Sequence, residues 1–495
     1  MKRLLLGLVA ISVCVAGLYG YVAARRERTF HQLIDRGDAA LAKDDTFSAI
    51  ESFSGAIQLK GDAMLGYLKR GQAYRRRQQL DAPPHGSHQA VKLDPAADAA
   101  MRDLRRAAEL DPLSPRPLEL LGDVNYSLQR YNRAVEEYQK YVELDDRSPR
   151  LLYKLALAHY SARRPEPAVA ALQKAVAIDD RFAEGFYLLG LCYRDLQKRE
   201  SALRALQTSV RLAPAMVHAR EELADLFGRL GKHDMRIVQL EALAGLDPGP
   251  RRQVALGLAY VRNGEFDRAI NTLGRAAEQY PDHPYTYVAL GRVWLEKAQP
   301  RGDRVDLSKA LGALQDAVGS DDSSEALTLF GRALLLSRSV DLAETVLQQA
   351  TEKMPVDPQA YYYLADAAER RGHTDVALRA LLDYRTLEGD DADNRRRAAM
   401  YSRLGDLSVQ QKHASDGVAW YQRAIDANGA DVALLVRLAG AQLLAGSSAS
   451  ALATLQRALD KDPFNRDALA LARRMKPPTA PSSDPHGPGG HPQGS

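Results

Sequence analysis

Residues 266–281 read FDRAINTLGRAAEQYP, and the offsets inside that stretch recur along the chain. Ala269, Leu273 and Ala276 stand four and seven positions apart, on one face of a helix. Gly257 lies twelve residues before Ala269, and Pro281 lies five after Ala276. The same frame holds Ala156, Ala168, Leu172 and Ala175, then Gly190, Ala202 and Leu206. It holds Gly331, Ala343, Leu347, Ala350 and Pro355, and Ala439, Ala451, Leu455, Ala458 and Pro463. Looser copies start at Gly37, Gly122, Ala224, Ala365 and Gly405. Two more, at Gly71 and Gly291, fit once a loop insertion is allowed. A chain that reuses one set of offsets twelve times between residues 30 and 464 is built by stacking copies of one small unit.

The offsets have a physical reading. A first helix carries a small residue, often after Leu, as in Leu189-Gly190 and Leu256-Gly257. A turn follows, marked by pairs such as Asn263-Gly264 or Arg371-Gly372. A second helix then carries Ala, a large residue four later, and Ala three after that. The small residues let helices approach and the large ones interlock between them, so an Ala→Leu change at the seam should overpack it by about 1–3 kcal/mol. Pro ends the second helix, as in Asp111-Pro112 and Asp462-Pro463, because the residue before Pro leaves helical space. Arg236, Tyr141 and Tyr384 replace Ala in three units, which predicts less regular packing there, with 227–248 the weakest stretch.

This frame resembles the tetratricopeptide repeat, a 34-residue helix–turn–helix with Leu-Gly, Tyr, Ala, a large residue, Ala and Pro at fixed places. The Tyr-like place holds Tyr193, Phe227, Tyr260 and Trp294. The resemblance covers about nine-tenths of the chain. It implies an all-α, right-handed α-α superhelical solenoid of about twelve units over 30–464, with insertions near 75–97, 298–306 and 388–396. Residues 465–476 read as a capping helix. Residues 477–495 are rich in Pro, Gly and Ser and cannot form a core, so they are expected to be disordered.

The N-terminus departs from the repeat. After Lys2 and Arg3, residues 4–24 (LLLGLVAISVCVAGLYGYVAA) carry no charge and are long enough to cross a bilayer as one helix, with Arg25, Arg26 and Arg28 following. Residues 1–29 therefore read as a signal anchor. A cleaved signal peptide, ending at Val22-Ala23-Ala24, is the competing reading. A lipoprotein signal is disfavoured by Val13 before Cys14. Positive charge flanks both ends, so charge asymmetry does not set the orientation. The short charged start resembles a secretory leader, which places the array outside the cytosol, in a periplasmic or other extracytoplasmic space.

No catalytic pattern emerges. The chain has no Gly-rich phosphate loop, no His-Glu-x-x-His and no Gly-x-Ser-x-Gly, and the repeats leave no room for a separate catalytic domain. Its two cysteines, Cys14 and Cys192, are far apart, so a four-sulfur metal site is impossible. His85 and His88 have no cluster of ligands nearby and read as loop residues. His283 reads as a turn residue. The Arg301-Gly302-Asp303 triplet matches an adhesion motif by chance, and Arg75–Arg77 and Arg395–Arg397 read as solvated faces. A formal net charge of +4 over 495 residues gives no push towards nucleic acid. No cofactor, metal or small-molecule substrate is implied.

The family resemblance puts the working surface in a concave groove lined by positions two, five, nine and twelve of the first helices. Carried onto this chain, these include Tyr126, Tyr153, Tyr160, Tyr187, Arg194, Glu221, Asp225, Arg292, Arg332, Tyr362 and Asp366. Tyr and Arg are enriched at binding hot spots. The Lys and Asn clamp that some relatives use for chaperone C-termini is not found at matching positions. The expectation is a non-enzymatic, membrane-anchored scaffold that holds protein or peptide segments while a bacterial envelope machine for secretion, motility or surface polysaccharide assembles. Two alternatives stand beside it: a cytosol-facing anchored regulator of envelope biogenesis, and a non-catalytic subunit of an enzyme complex.

Overall fold

The computed structural model describes residues 2–81, 94–299, 302–388 and 393–475, with side chains from residue 14 onward. All of its regular structure there is helical. In chain order the helices are α1 (Lys2–Leu41), α2 (Thr46–Leu59), α3 (Met64–Asp81), α4 (Pro95–Leu110), α5 (Pro115–Ser127), α6 (Tyr131–Leu144), α7 (Pro149–Ser161), α8 (Pro165–Ile178), α9 (Ala183–Asp195), α10 (Arg199–Leu212), α11 (Val217–Arg229) and α12 (His233–Leu246). Then come α13 (Pro250–Arg262), α14 (Phe266–Gln279), α15 (Pro284–Ala298), α16 (Arg304–Ser320), α17 (Ser324–Leu336), α18 (Val340–Glu352), α19 (Pro358–Arg371), α20 (Thr374–Leu387), α21 (Asn394–Gln410), α22 (Ala414–Asn428), α23 (Val432–Leu444), α24 (Ser448–Lys461) and α25 (Arg466–Met475). Odd and even helices pair as the first and second helix of successive repeats, and α25 packs on α23 and α24.

The seam of each pair explains the offsets. Ala269, Leu273 and Ala276 of α14 are buried, as are Ala343, Leu347 and Ala350 of α18. Eight pairs carry glycine at the facing place on the first helix. A Cβ added to Gly257 would lie 2.6 Å from Leu273 Cγ, and one added to Gly190 would lie 2.7 Å from Leu206 Cγ. These contacts are far inside van der Waals distance, so the backbone of one helix rests directly on the large residue of the other.

The turn repeats as closely as the seam does. In ten pairs, the residue seven after the small one adopts a left-handed backbone. At Gly264 and Gly372 this costs nothing. Asp44, Gln129, Arg163, Gln197, Arg338 and Lys412 accept the same conformation with a side chain. The next amide then closes back onto the helix, as Lys198 N donates to Tyr193 O at 2.9 Å and Glu265 N to Tyr260 O at 2.9 Å. This six-to-one bond satisfies a terminal carbonyl and reverses the chain.

The described residues form two compact units, Met1–Leu246 and Asp247–Ser495. Within the first, α1 packs on α3, α3 on α5, and α7 on α9; within the second, α13 packs on α15, α15 on α17, α17 on α19, and α21 on α23. Second helices make no comparable packing on one another among the described residues. In each unit, therefore, the first helices crowd together and form the inner side of the curve.

The division falls after α12, in the stretch predicted to be weakest. Leu240, sixteen residues after Ala224 where the frame places its large seam residue, is only half-buried; Ile237 and Leu243 fill the core instead, while Met235 and Val238 face solvent. Arg236, standing for Ala, is what displaces the packing. Tyr384 does enter the core at 7% exposure, by sending its hydroxyl to Glu388 Oε1 at 2.5 Å. Arg75–Arg77, read as a solvated face, extend α3, where Arg75 pairs with Asp123, Arg76 with Asp44 at 2.7 Å and Arg77 with Asp81 at 3.5 Å. Near residue 300 the inserted residues lengthen α15 and α16, and Asp303 of the Arg-Gly-Asp triplet caps α16 by accepting from Val305 N at 2.8 Å. His85, His88, Arg301 and residues 477–495 lie outside the described residues.

Among the described residues, no helix is long and apolar enough to cross a membrane. The side chains of residues 4–13, the first part of the apolar run, are outside that description. Further along α1, Val15, Leu18, Tyr19, Tyr21 and Val22 are all more than half exposed.

Candidate functional site

The sequence-predicted groove residues fall into two sets, one in each compact unit. In the first unit, Tyr126 comes from α5, Tyr153 and Tyr160 from α7, Tyr187 and Arg194 from α9, and Glu221 and Asp225 from α11. All are on first helices, the inner side of the curve. The four tyrosines are half-buried. Tyr126, Tyr153 and Tyr160 pack on one apolar cluster with Leu157 and Leu191, and Tyr187 packs on the next.

Neighbouring helices fix the rings. Tyr153 meets Phe182 edge-on at 5.3 Å, and Tyr126 meets Tyr131 likewise at 5.3 Å. The Tyr126 hydroxyl lies 3.0 Å from Ser161 Oγ. Arg194 donates to Tyr160 Oη at 3.3 Å and to Glu222 Oε2 at 2.6 Å. Burial raises the pKa of Tyr153 and Tyr187. Burial, helped by Asp195, takes Tyr160 up to about 12. These phenols therefore keep their protons at any physiological pH. The result is a floor of flat, amphipathic rings presented with little freedom left to lose. Glu221 and Asp225 are exposed at one end of it, paired locally with His218 and Arg229.

In the second unit the predicted residues are more dispersed. Arg292 pairs with Glu325 of the next first helix, and Asp366 with Arg370 of its own. Arg332 stacks on Tyr363, 5.7 Å from the ring centroid. Tyr362 joins a cluster the repeat positions alone did not foretell: Tyr363 at 5.6 Å, Tyr384 at 5.4 Å and Arg403 at 5.2 Å from its ring. Tyr384 could have been suspected, because it stands where the frame wants Ala.

Each unit also holds an open cavity beside a repeated polar device. In the first, about 310 Å³ is bounded by Arg75, Asp123, Tyr126, Tyr138 and Lys154; in the second, about 500 Å³ is bounded by Glu369, Arg403, Asp406, Gln410 and Tyr421. Tyr138 donates to Asp123 at 2.8 Å, and Lys154 donates to the same carboxylate at 2.8 Å. Tyr421 donates to Asp406 at 2.7 Å and Arg437 does so at 3.0 Å. The charges in both cavities are thus already paired within the protein. Among the described residues, no group of His, Cys, Asp and Glu could hold a metal ion. Cys192 is buried, and burial pushes its thiol up to about 12, so it is chemically inert.

Residues 95–149, 328–394 and 402–466 match a family described as Tetratricopeptide repeat, and residues 250–293 match a second family of the same description. Residues 127–209 match a family described as Anaphase-promoting complex, cyclosome, subunit 3. A comparison with curated protein sequences returned no match. Among solved structures, MamA is 24% identical over 30% of this chain and 88% of its own, with a TM-score of 0.30. PilF of Pseudomonas aeruginosa is 23% identical over 45% of this chain and 95% of its own, with a TM-score of 0.34. The APC/C hetero-tetramer Cut9–Hcn1 is 14% identical over 90% of this chain and 96% of that one, with a TM-score of 0.37. None of the matching families is a catalytic one.

Proposed function

The chain belongs to the tetratricopeptide repeat family, and from that premise we propose that it is a non-enzymatic scaffold whose first-helix surface holds segments of partner proteins. The observation that carries this reading is the row of half-buried tyrosines, Tyr126, Tyr153, Tyr160 and Tyr187, on three successive first helices. Such a row offers apolar area to a bound segment and hydroxyls to its backbone, at low entropic cost. We further propose that residues 4–24 anchor the chain in a membrane, that the array lies outside the cytosol, and that its partners are components of an envelope machine. The exposed Val15, Leu18, Tyr19, Tyr21 and Val22 support the anchor, since these apolar side chains are left largely uncovered by the protein.

Two experiments test this. A photoreactive amino acid placed at Tyr160 or Tyr187 should crosslink partner proteins in cells, whereas one at exposed Glu166 on the second helix α8 should not; equal labelling at all three sites would sink the groove reading. A reporter active only outside the cytosol, fused after Met475, should be active. Activity of its cytosolic counterpart instead would favour the cytosol-facing regulator.

A further inference from the structure

Trp420 lies on α22 and is half-buried against the core of the second unit. Tyr401 of α21 stacks on it, with ring centroids 5.8 Å apart and planes 25° from parallel. Two arginines from second helices also cover the indole. Arg385 of α20 has its guanidinium carbon 5.0 Å from the ring centroid, and Arg423 of α22 has its own at 4.5 Å. These three residues sit on second helices, apart from the first-helix surface that carries the tyrosine row.

The two guanidinium groups differ from most of their neighbours. Arg370, Arg371, Arg403 and Arg437 in the same unit each hold a carboxylate. Arg385 and Arg423 hold none among the described residues, and the indole is what positions them. Stacking occupies the flat face of a guanidinium and leaves its N–H edge open. That edge matches a carboxylate in a two-pronged hydrogen bond. Because the ring already restrains both side chains, little entropy remains to be lost when a ligand arrives.

We propose that Arg385, Trp420 and Arg423 form a docking surface for an acidic peptide segment of a partner protein, one carboxylate on each arginine fork. The surrounding charge selects this occupant. Asp383 on α20 and Asp416 and Asp426 on α22 are exposed close by in sequence on the same helices. A continuous polyanion, whether nucleic acid or an anionic bilayer, would be repelled by those acids while it met the arginines. A peptide can place acidic residues on the arginines and neutral ones elsewhere. This surface is independent of the tyrosine groove, and either can fail without the other.

The test uses the full chain carrying Trp294→Phe, which leaves Trp420 as its single tryptophan. A fluorescein-labelled peptide with two glutamates separated by glycine and serine residues is titrated at low salt while Trp420 emission and peptide anisotropy are followed. Saturable binding with quenching of Trp420 is expected, and hexalysine should not bind. Arg385→Gln with Arg423→Gln should weaken binding at least about tenfold with helicity and melting temperature unchanged. Arg385→Lys with Arg423→Lys, which keeps charge but loses the fork, should weaken it severalfold and controls for any folding defect in the glutamine pair. Tyr153→Ala with Tyr187→Ala should leave it unchanged. The proposal is overturned by absence of binding, by lysine or glutamine variants that bind like the parent, or by phosphatidylglycerol vesicles that bind as tightly and lose that binding with the arginines.

Discussion

At the scale of single residues, two positions carry most of what makes each unit turn and close. The left-handed turn position is glycine at 231, 264, 372 and 446 but bears a side chain in six other pairs. A Cβ in that conformation costs about 1–2 kcal/mol, while glycine costs somewhat less through its freer unfolded chain. Gln197→Gly should therefore raise stability by about 0.5–1 kcal/mol, seen as a higher melting temperature; no change would mean that the Lys198–Tyr193 closure, not the φ angle, governs the turn. The seam position sorts by its partner. Wherever the second helix offers an aromatic ring, at Phe53, Tyr138 or Tyr421, the first helix offers glycine, at Gly37, Gly122 or Gly405. Where it offers leucine, alanine is also accepted, as in the pairs Ala156/Leu172 and Ala439/Leu455. Gly122→Ala would drive a methyl into the ring of Tyr138 and should cost about 3 kcal/mol, against about 1 kcal/mol for Gly190→Ala over the more yielding Leu206. Chemical denaturation of both variants checks the order, and Tyr138→Leu should recover most of the Gly122→Ala loss. His159 is a third residue with a readable consequence. It is half-buried, its Nδ1 has no hydrogen-bond partner, and burial followed by Arg164 lowers its pKa below 6.5. The fold then favours the neutral ring, so its contribution is complete above the unfolded value and is lost as pH falls from about 6.5 towards the lower folded value. The pH slope of the melting temperature in that window should shrink in His159→Gln.

At the scale of elements, ion pairs hold neighbouring units together with the period of the repeat. Lys69–Asp38, Arg70–Asp103, Arg76–Asp44, Lys154–Asp123, Arg292–Glu325, Arg403–Glu369 and Arg437–Asp406 join residues 31 to 34 apart in sequence. Their worth depends on burial. Asp103 is 10% exposed and takes two bonds from Arg70, at 2.7 and 2.8 Å, whereas Asp375 and Arg379 on α20 are both more than two-thirds exposed. Asp103→Asn should cost about 2 kcal/mol and Asp375→Asn close to nothing by the same denaturation measurement. Three of these inter-unit links belong to one pattern that lies open in the sequence: Gly-Asp, an aromatic fifteen after Asp, and a cation sixteen later, at Gly37/Asp38/Phe53/Lys69, Gly122/Asp123/Tyr138/Lys154 and Gly405/Asp406/Tyr421/Arg437. The twelve-unit frame passes over it because the frame tracks apolar spacing, and the pattern has meaning only once Asp and the next unit's cation are known to face each other. The helices themselves were legible because the seam admits so few residue types. The placement of Tyr126, Tyr153, Tyr160 and Tyr187 on first helices was legible because they share fixed repeat positions. The approach of Arg385 to Trp420 was not, since that contact joins second helices of different units, and spacing within one unit says nothing about what crosses between two.

At the scale of the whole molecule, a stack of repeats has stability that is local by construction, because each unit touches only its neighbours. Its weakest element should then set where it opens first. Along the array that element is α12. Its seam place holds Arg236 where other units hold Ala or, at Gly417, Gly; its Leu240 is half-buried, and its Met235, Val238 and Leu246 are 44–56% exposed. The adjacent second helices bury their seams fully, with Ala202 and Leu206 on α10 and Ala269, Leu273 and Ala276 on α14. The division into two compact units falls at the end of α12, so each unit has its own core on which an opening event can stop. Hydrogen exchange on the full chain should find the amides of α12 exchanging well ahead of those of α10 and α14. A cavity made far from it, by Leu347→Ala in α18, should cost about 2–5 kcal/mol, speed exchange within residues 247–475, and leave the protection of α7 to α10 unchanged. Uniform acceleration from α2 to α24 would mean instead that the array unfolds as one cooperative body, and that the irregular α12 is tolerated without being a point of opening.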